Sequence, residues 1–333
     1  MEPMRLYLGI DVDGVREYQS IGLLTLPEKA APVKDKELAL TEYLIQYESD
    51  RGEFSPSTLK GRSDMRKKVE EYLRQAGTLT LPISSVDAEF CRGFIDYLKT
   101  ARNSVSTKEQ RTISKGCAHH HQTVFCAALN KAVKDGYLPS NPMNCLDQRE
   151  KLRSCPKERD YLTIDELRRM IKQDCGNTEV KLAFLFSCFT GLRLSDVRTL
   201  TWADVHKSPD GQSSYIHVFM QKTQKPNNIP LSSQALKCMP PGREADERVF
   251  ELPSSDATIN YHIKKWARNA GVSKCLSYHC SRHTFATMML TLGADVYTTS
   301  KLLGHSSITT TAIYAKIVDK KKEATVNLVS GVF

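Results

Sequence analysis

Long apolar runs, paired cysteines and internal repeats are all missing from this sequence. The longest apolar stretch, around Ala183 to Phe189, is far too short to span a bilayer, so no membrane partner is expected. The N-terminus "MEPMRLYLGIDVDG" lacks a basic segment followed by an apolar one. A secretory leader is therefore not expected, and the chain is placed in the cytoplasm. Ten cysteines are present, yet none form a CxxC pair and their spacing is irregular. Reduced, mostly buried thiols are expected rather than a disulfide framework. With no repeat of fixed period and no long low-complexity segment, stacked-repeat architectures are excluded.

What is there fits an ordinary folded chain: 333 residues, 40% of them hydrophobic, enough for two or three domains each with its own core. The formal charge is +9, and its placement says more than its size. Lys and Arg balance Asp and Glu at 21 against 21 over residues 1–150, and outnumber them 26 to 17 over residues 151–333. Within the neutral part, the stretch from Lys99 to Lys134 still holds seven basic residues and only Glu109 as an acid. Such a run suits a polyanion, although a solvated surface is the plainer reading of any charge run taken alone.

The opening "MRLYLGIDVDGVREYQSIGLLTLPE" predicts a β-hairpin, with alternating Leu6, Leu8 and Ile10 and a tight turn at Asp13-Gly14. A helix with Leu38, Leu44, Ile45 and Tyr47 follows and stops near Gly52, giving a hairpin-plus-helix module over 1–53. Residues 54–147 read as a helical bundle of three or four helices, one with a Ser55-Pro56 start and a Gly77 stop. A polar linker is placed at 148–160 and a last domain at 161–333, opened by a capping box of Thr163 and Glu166. There, an apolar helix stops at Gly191, and strands run from Val205 to Leu231 with "SPDG" and "KPNN" as turns. The expected fold class is mainly α with small β-sheets, an α+β chain.

In "HCSRHTFATMMLTLG", Phe285, Met288, Met289 and Leu292 are spaced to bury one helix face, with His279 and Arg282 at its flank. Alone, His-x-x-Arg is more simply a helix-end histidine beside a surface arginine. Arg193 follows the Gly191 stop, where a side chain projects from a rigid base or simply pairs with Asp196. Lys222 lies at a hairpin, where a solubilising lysine is the bland reading. Together with His305 and Tyr314, however, these side chains are the inventory for attacking a phosphodiester without a metal. Guanidinium forks fit non-bridging oxygens, histidine and lysine move protons, and a tyrosine can carry the covalent ester.

"TGLRLSDVRTLTWADV", "QKTQKPNNIPL" and "HCSRHTFATMMLTLGADVYTTSKLLGHSSITTTAIYAKIVD" resemble the catalytic boxes of the tyrosine recombinases, the lambda-type phage integrases, in the right order. The resemblance is close over residues 160 to 320 and looser over 55 to 145, which look like the helical, SAM-like core-binding domain. The first fifty residues look like the arm-DNA-binding module of integrases from conjugative and mobilisable elements.

The resemblance implies a site-specific recombinase, the integrase of a mobile element, acting through a 3′-phosphotyrosyl intermediate. By the same carry-over, Arg193 and Arg282 bind the scissile phosphate and Lys222 is the general acid, with Lys225 as the alternative. His279 is an acid/base and phosphate ligand, His305 a further phosphate contact, and Tyr314 the nucleophile; Asp196 buttresses the site. No cofactor or metal is implied. The implied partners are double-stranded DNA, three further copies of the chain on two DNA sites, and accessory DNA-bending proteins, at the nucleoid. The tail after Lys320 is expected to dock on a neighbouring protomer. An invertase or resolvase of the same chemistry, a type IB topoisomerase, and a silent DNA-binding factor are the rival readings. In "CAHHHQTVFC", helical periodicity lets Cys117 and His121 share a face, which is too few ligands for structural zinc.

Overall fold

The structure, a computed structural model, describes residues 4–12, 15–24, 37–50, 52, 54–103, 111–154, 160–242 and 244–314. The turn at Asp13-Gly14, part of the basic run (104–110), part of the linker (155–159) and the tail after Tyr314 lie outside them. The chain divides into two compact units, Met1–Lys157 and Glu158–Phe333.

In the first unit, β1 (Met4–Val12) and β2 (Val15–Leu24) pair antiparallel from Val12↔Val15 outward, with a bulge after Leu6. Four helices follow: α1 (Leu40–Ser49), α2 (Pro56–Ala76), α3 (Ala88–Thr100) and α4 (Lys115–Lys134). The Ser55 hydroxyl accepts from the Thr58 amide, Pro56 sits where no amide is needed, and Gly77 ends α2 in the left-handed region. The sequence grouped α1 with the hairpin; the structure buries it in the helical bundle instead. Leu40, Tyr43, Leu44 and Tyr47 share one core with Met65, Leu73, Phe94 and Phe125, while Ile45 points outward, 51% exposed. Arg62 of α2 fixes the attachment: its buried Nη1 donates to the carbonyls of Tyr47 and Asp50 at 2.8 and 2.9 Å, closing the α1 C-terminus.

The basic run is also less unified than its composition implied. Lys99 pairs with Asp96 and Lys131 with Asp135, each at 2.6 Å. Lys115 and Lys131 stand sixteen positions apart on α4, about 24 Å along its axis.

The second unit begins with α5 (Ile164–Lys172), where the Thr163–Glu166 capping box forms in both directions. α6 (Thr178–Thr190) is its central rod, buried almost all round by Val180, Phe184, Phe186 and Cys188. α7 (Leu194–Thr199) leads to a three-stranded antiparallel sheet of β3 (Val205–Lys207), β4 (Ser214–Met220) and β5 (Lys225–Leu231), in the order β3-β4-β5. The rest is helical: α8 (Ser233–Leu236), α9 (Asp256–Asn269), α10 (His279–Leu292), α11 (Val296–Leu302) and α12 (Thr309–Ala312). The fold is α+β, mainly helical with small sheets.

Two local expectations fail here. "SPDG" turns as read, but "KPNN" is strand: the turn is Gln221–Gln224, closed by Gln224 at φ 51°, and Lys225 pairs with Met220. Pro226 is tolerated because β5 is an edge strand that needs no outward amide at that position. On α10, Phe285 is buried but Leu292 is 66% exposed. The helix is enclosed near its start by small and polar residues, Ser281, Arg282, His283, Thr284 and Thr287, rather than along an apolar stripe. That enclosure makes room for the site.

Candidate active site

Gly191 sets the first part of the site. It ends α6 at φ 76°, and a Cβ there would stand 2.7 Å from Phe285 and 2.9 Å from Leu303. Only glycine lets the chain leave α6 in this direction while α10 and the end of α11 pack against it. Two residues on, Arg193 sits at the start of α7 with its side chain 13% exposed. Its buried Nη1 makes no hydrogen bond among the described residues and stands 3.9 Å from Asp196 Oδ2. Burial lowers the Arg193 pKa, and the Asp196 carboxylate opposes the shift. A buried guanidinium without a full set of acceptors is costly unless an anion supplies them.

Asp196 is itself buried, and its carboxylate works in two directions. Oδ1 accepts from the Gln221 amide at 2.9 Å and Oδ2 from the Arg193 amide at 3.4 Å. The turn bearing Lys222 is thus tied to the loop bearing Arg193. A second tie comes from β5, where the Asn227 side-chain amide donates to the Leu302 carbonyl at 3.1 Å. Lys222 is exposed in the turn, whereas Lys225 is exposed at the first position of β5.

α10 contributes Arg282, which is 4% exposed. Nη1 donates to the Gly191 carbonyl at 2.7 Å and Nη2 to the Leu303 carbonyl at 2.5 Å, so this arginine braces the ends of two helices. Burial and the nearby Arg193 push its pKa down to about 9, which leaves it charged at neutral pH. The charges of Asp196 and Tyr314 act on it in the opposite sense.

His305 follows Gly304, and its Nδ1 lies 2.8 Å from the buried Thr311 hydroxyl on α12. Burial first, then the positive charges of Arg282, Arg193, Lys222 and His279, hold its pKa down to about 4. Four of the residues singled out from sequence therefore surround a fifth closely enough to act on its protonation. Tyr314 packs on Phe285, Ala286 and Leu303. Its hydroxyl hydrogen-bonds His283 Nδ1, and the His283 ring lies edge-to-face with the ring of exposed His279, centroids 4.7 Å apart. All six predicted residues are brought into one neighbourhood.

Sequence reading passed over His283, Asn227 and Thr311. His283 carried a signal, being four positions from His279 and hence on the same helical face. No local pattern marks the contact of Asn227, whose partner Leu302 lies on α11 75 positions away, whereas Thr311 stands only six positions from His305. Elsewhere, Cys117 Sγ and His121 Nε2 do share a face, 3.4 Å apart. No group of three or more potential ligands is arranged to hold a metal ion among the described residues. Nor is any helix among them long and apolar enough to cross a membrane.

Residues 160–321 match the Phage integrase family and residues 39–151 the Phage integrase SAM-like domain. The tyrosine recombinase of Thermosipho africanus (strain TCF52B) is 23% identical over 80% of this chain and 91% of its own length. Tyrosine recombinase XerD of Rhizobium meliloti (strain 1021) is 24% identical over 86% and 93%. Of the tyrosine recombinase of Pseudothermotoga lettingae, 27% identical, the chain spans 60%. Among solved structures, the Tn1549 transposon integrase in complex with a circular intermediate DNA superposes with a TM-score of 0.64 at 18% identity, covering 83% of this chain and 95% of that one. A lambda integrase tetramer bound to a Holliday junction gives 0.62 at 18%, over 84% and 78%. The class is therefore that of DNA-recombining enzymes built from a helical bundle and an α+β unit. The chain belongs to the lambda-type tyrosine recombinase, or phage integrase, family, whose members cut and rejoin DNA strands.

Proposed function

We propose that the protein is a site-specific recombinase serving as the integrase of a mobile genetic element, with Tyr314 as its nucleophile. The observation that carries this reading is that Arg193, Arg282, Lys222 and His279 lie near enough to His305 for their charges to act on it, with Tyr314 packed on Phe285 and Leu303 and its hydroxyl bonded to His283. In this reading the two guanidinium groups hold the non-bridging oxygens of the scissile phosphate and balance the charge of its transition state. The Tyr314 oxygen attacks phosphorus, a 3′-phosphotyrosyl ester forms, and the bond to the 5′-oxygen breaks. Lys222 protonates that leaving oxygen; it stands in the turn that the Gln221 amide ties to Asp196 beside Arg193, which favours it over Lys225 on β5. Neutral His305 supplies the further phosphate contact as a hydrogen bond rather than a charge, and His279 serves as acid/base and phosphate ligand. The ester keeps the bond energy, so a 5′-hydroxyl can reverse the step without a nucleotide cofactor.

The working assembly in this reading is four protomers on two DNA sites, as the lambda integrase tetramer on a Holliday junction supports. The hairpin of β1 and β2 then serves arm-type DNA, the bundle from α1 to α4 the core site and residues 161–333 catalysis, with the tail after Lys320 reaching a neighbour. Accessory bending proteins and a place at the nucleoid belong to the same proposal. The likeness to a XerD along nearly its whole length supports a second reading, a resolvase, which differs in the sites cut and not in the chemistry.

The test uses suicide substrates made from the ends of the parent element and, in parallel, from chromosomal resolution sites. A denaturant-resistant protein–DNA adduct is expected on the element ends, absent in Tyr314→Phe. An adduct on chromosomal sites alone favours the resolvase. An adduct that survives in Tyr314→Phe removes Tyr314 as nucleophile.

A further inference from the structure

One group touching the Tyr314 hydroxyl is not among the six residues assigned above. It is His283, 4% exposed on α10, whose Nδ1 is hydrogen-bonded to the phenol, ring centroids 5.6 Å apart at 49°. A phenol ordinarily titrates near 10 and attacks poorly while it keeps its proton, so the nucleophile needs an acceptor at the moment of attack. The nearby cations are poor candidates. Arg193 and Arg282 are guanidinium groups, which only donate and cannot take up a further proton. His305 directs Nδ1 to Thr311.

We propose that His283 is the proton acceptor for Tyr314: the phenolic proton passes to Nδ1 as the oxygen closes on phosphorus, and returns from Nδ1 when the phenolate leaves on religation. The inference rests on Tyr314 being the nucleophile. The proton balance closes within the site. In cleavage His283 gains the phenol's proton while Lys222 gives one to the departing 5′-oxygen, and in religation both transfers reverse. A neutral imidazole protonated on Nε2 presents the lone pair on Nδ1 that the transfer needs. His279, four positions back and stacked edge-to-face on His283, stands at the exposed side of the pair. It thereby has a positioning role toward the acceptor besides its own contact with phosphate.

The rival explanation is that His283 merely anchors the segment carrying Tyr314, and the choice of variant separates the two. His283→Asn keeps a hydrogen-bond acceptor near the place of Nδ1 and cannot take up a proton. The full-length protein, with Tyr314 natural or replaced by a fluorinated tyrosine of lowered phenol pKa, is followed for single-turnover adduct formation on a suicide substrate. DNA affinity of each form reports folding.

With DNA affinity kept, His283→Asn is expected to slow adduct formation by about 10²–10⁴-fold, the usual worth of a positioned general base. Fluorotyrosine at 314 should restore about ten-fold or more of that loss, since a more acidic phenol needs less help, and should change the parent protein little. The proposal is overturned if His283→Asn cleaves at the parent rate while Tyr314→Phe forms no adduct. It is equally overturned if the slowed variant gains nothing from the fluorinated phenol, which is the anchor's signature. An adduct in Tyr314→Phe overturns the nucleophile assignment itself and this inference with it. Should His283→Asn lose DNA affinity, the comparison passes to His283→Gln and to fluorotyrosine in the parent protein, where a shift of the rate profile toward lower pH is expected and an unchanged profile counts against the proposal.

Discussion

At the scale of single residues, two arginines with one assigned purpose stand in different situations. Arg282 is built into the fold through the carbonyls of Gly191 and Leu303, whereas the Nη1 of Arg193 has no hydrogen-bond partner among the described residues. Arg282→Ala should therefore lose both cleavage and about 2–4 kcal/mol of stability, since two charge-assisted bonds go and two buried carbonyls lose their donor. Arg193→Ala should lose cleavage while stability stays within about 1 kcal/mol of the parent. Urea denaturation beside an adduct assay checks both, and equal destabilisation by the two substitutions would refute the distinction.

His305 gives a pH prediction at the same scale. Its imidazole is held at about 4 in the folded chain against an ordinary 6.5. Between these values the unfolded chain binds more protons than the folded one, so this group lowers stability progressively as pH falls from 6.5 toward 4 and contributes nothing above. His305→Gln should flatten that part of the profile. Thermal midpoints of the two proteins between pH 7.5 and 5 check it; parallel curves would mean that His305 is not held neutral by its surroundings.

At the scale of elements, the hairpin of β4 and β5 shows where local pattern and tertiary structure part. "KPNN" has the composition of a turn, yet strand pairing from Ser214↔Leu231 to Met220↔Lys225 leaves only Gln221–Gln224 to turn, at the expense of a positive φ at Gln224. The alternating burial of Ile216, Val218 and Met220 fixes the register, because a one-residue slip would turn all three outward. Lys222 is thereby lifted into the turn, held from below by the Asp196 carboxylate on the Gln221 amide. Asp196→Ala should cut cleavage by about 10–10²-fold through loss of this placement. DNA affinity should be nearly unchanged, since no DNA-contacting charge is removed. An unaltered cleavage rate would deprive Asp196 of its buttressing role. The helices were legible where caps are local, as at Ser55-Pro56, Gly77, Thr163–Glu166 and Gly191. α1 was assigned to the wrong neighbour because the spacing of Leu40, Tyr43, Leu44 and Tyr47 says that a face is buried and not what buries it.

At the scale of the whole molecule, the net charge of +9 resides in residues 151–333, and each of the two units has its own core. If each protomer neutralises six or more phosphates, affinity for a specific site should fall by about 10³ or more between 50 and 200 mM salt. Fluorescence anisotropy across that range measures the slope, and a nearly flat dependence would exclude backbone contacts as the main source of affinity.

The sequence by itself determined the order of the chemical groups along the chain, the helix stops, the α+β class and the kind of reaction such groups perform. These are properties of neighbours in sequence, set by backbone preferences and by the intrinsic chemistry of side chains. Only the tertiary structure decided that Arg282 braces two helix ends, that Asp196 links a turn to a loop, and that His283 rather than a more obvious partner meets the Tyr314 hydroxyl. Those contacts join residues tens of positions apart, and packing distant helix ends against one another is what creates them.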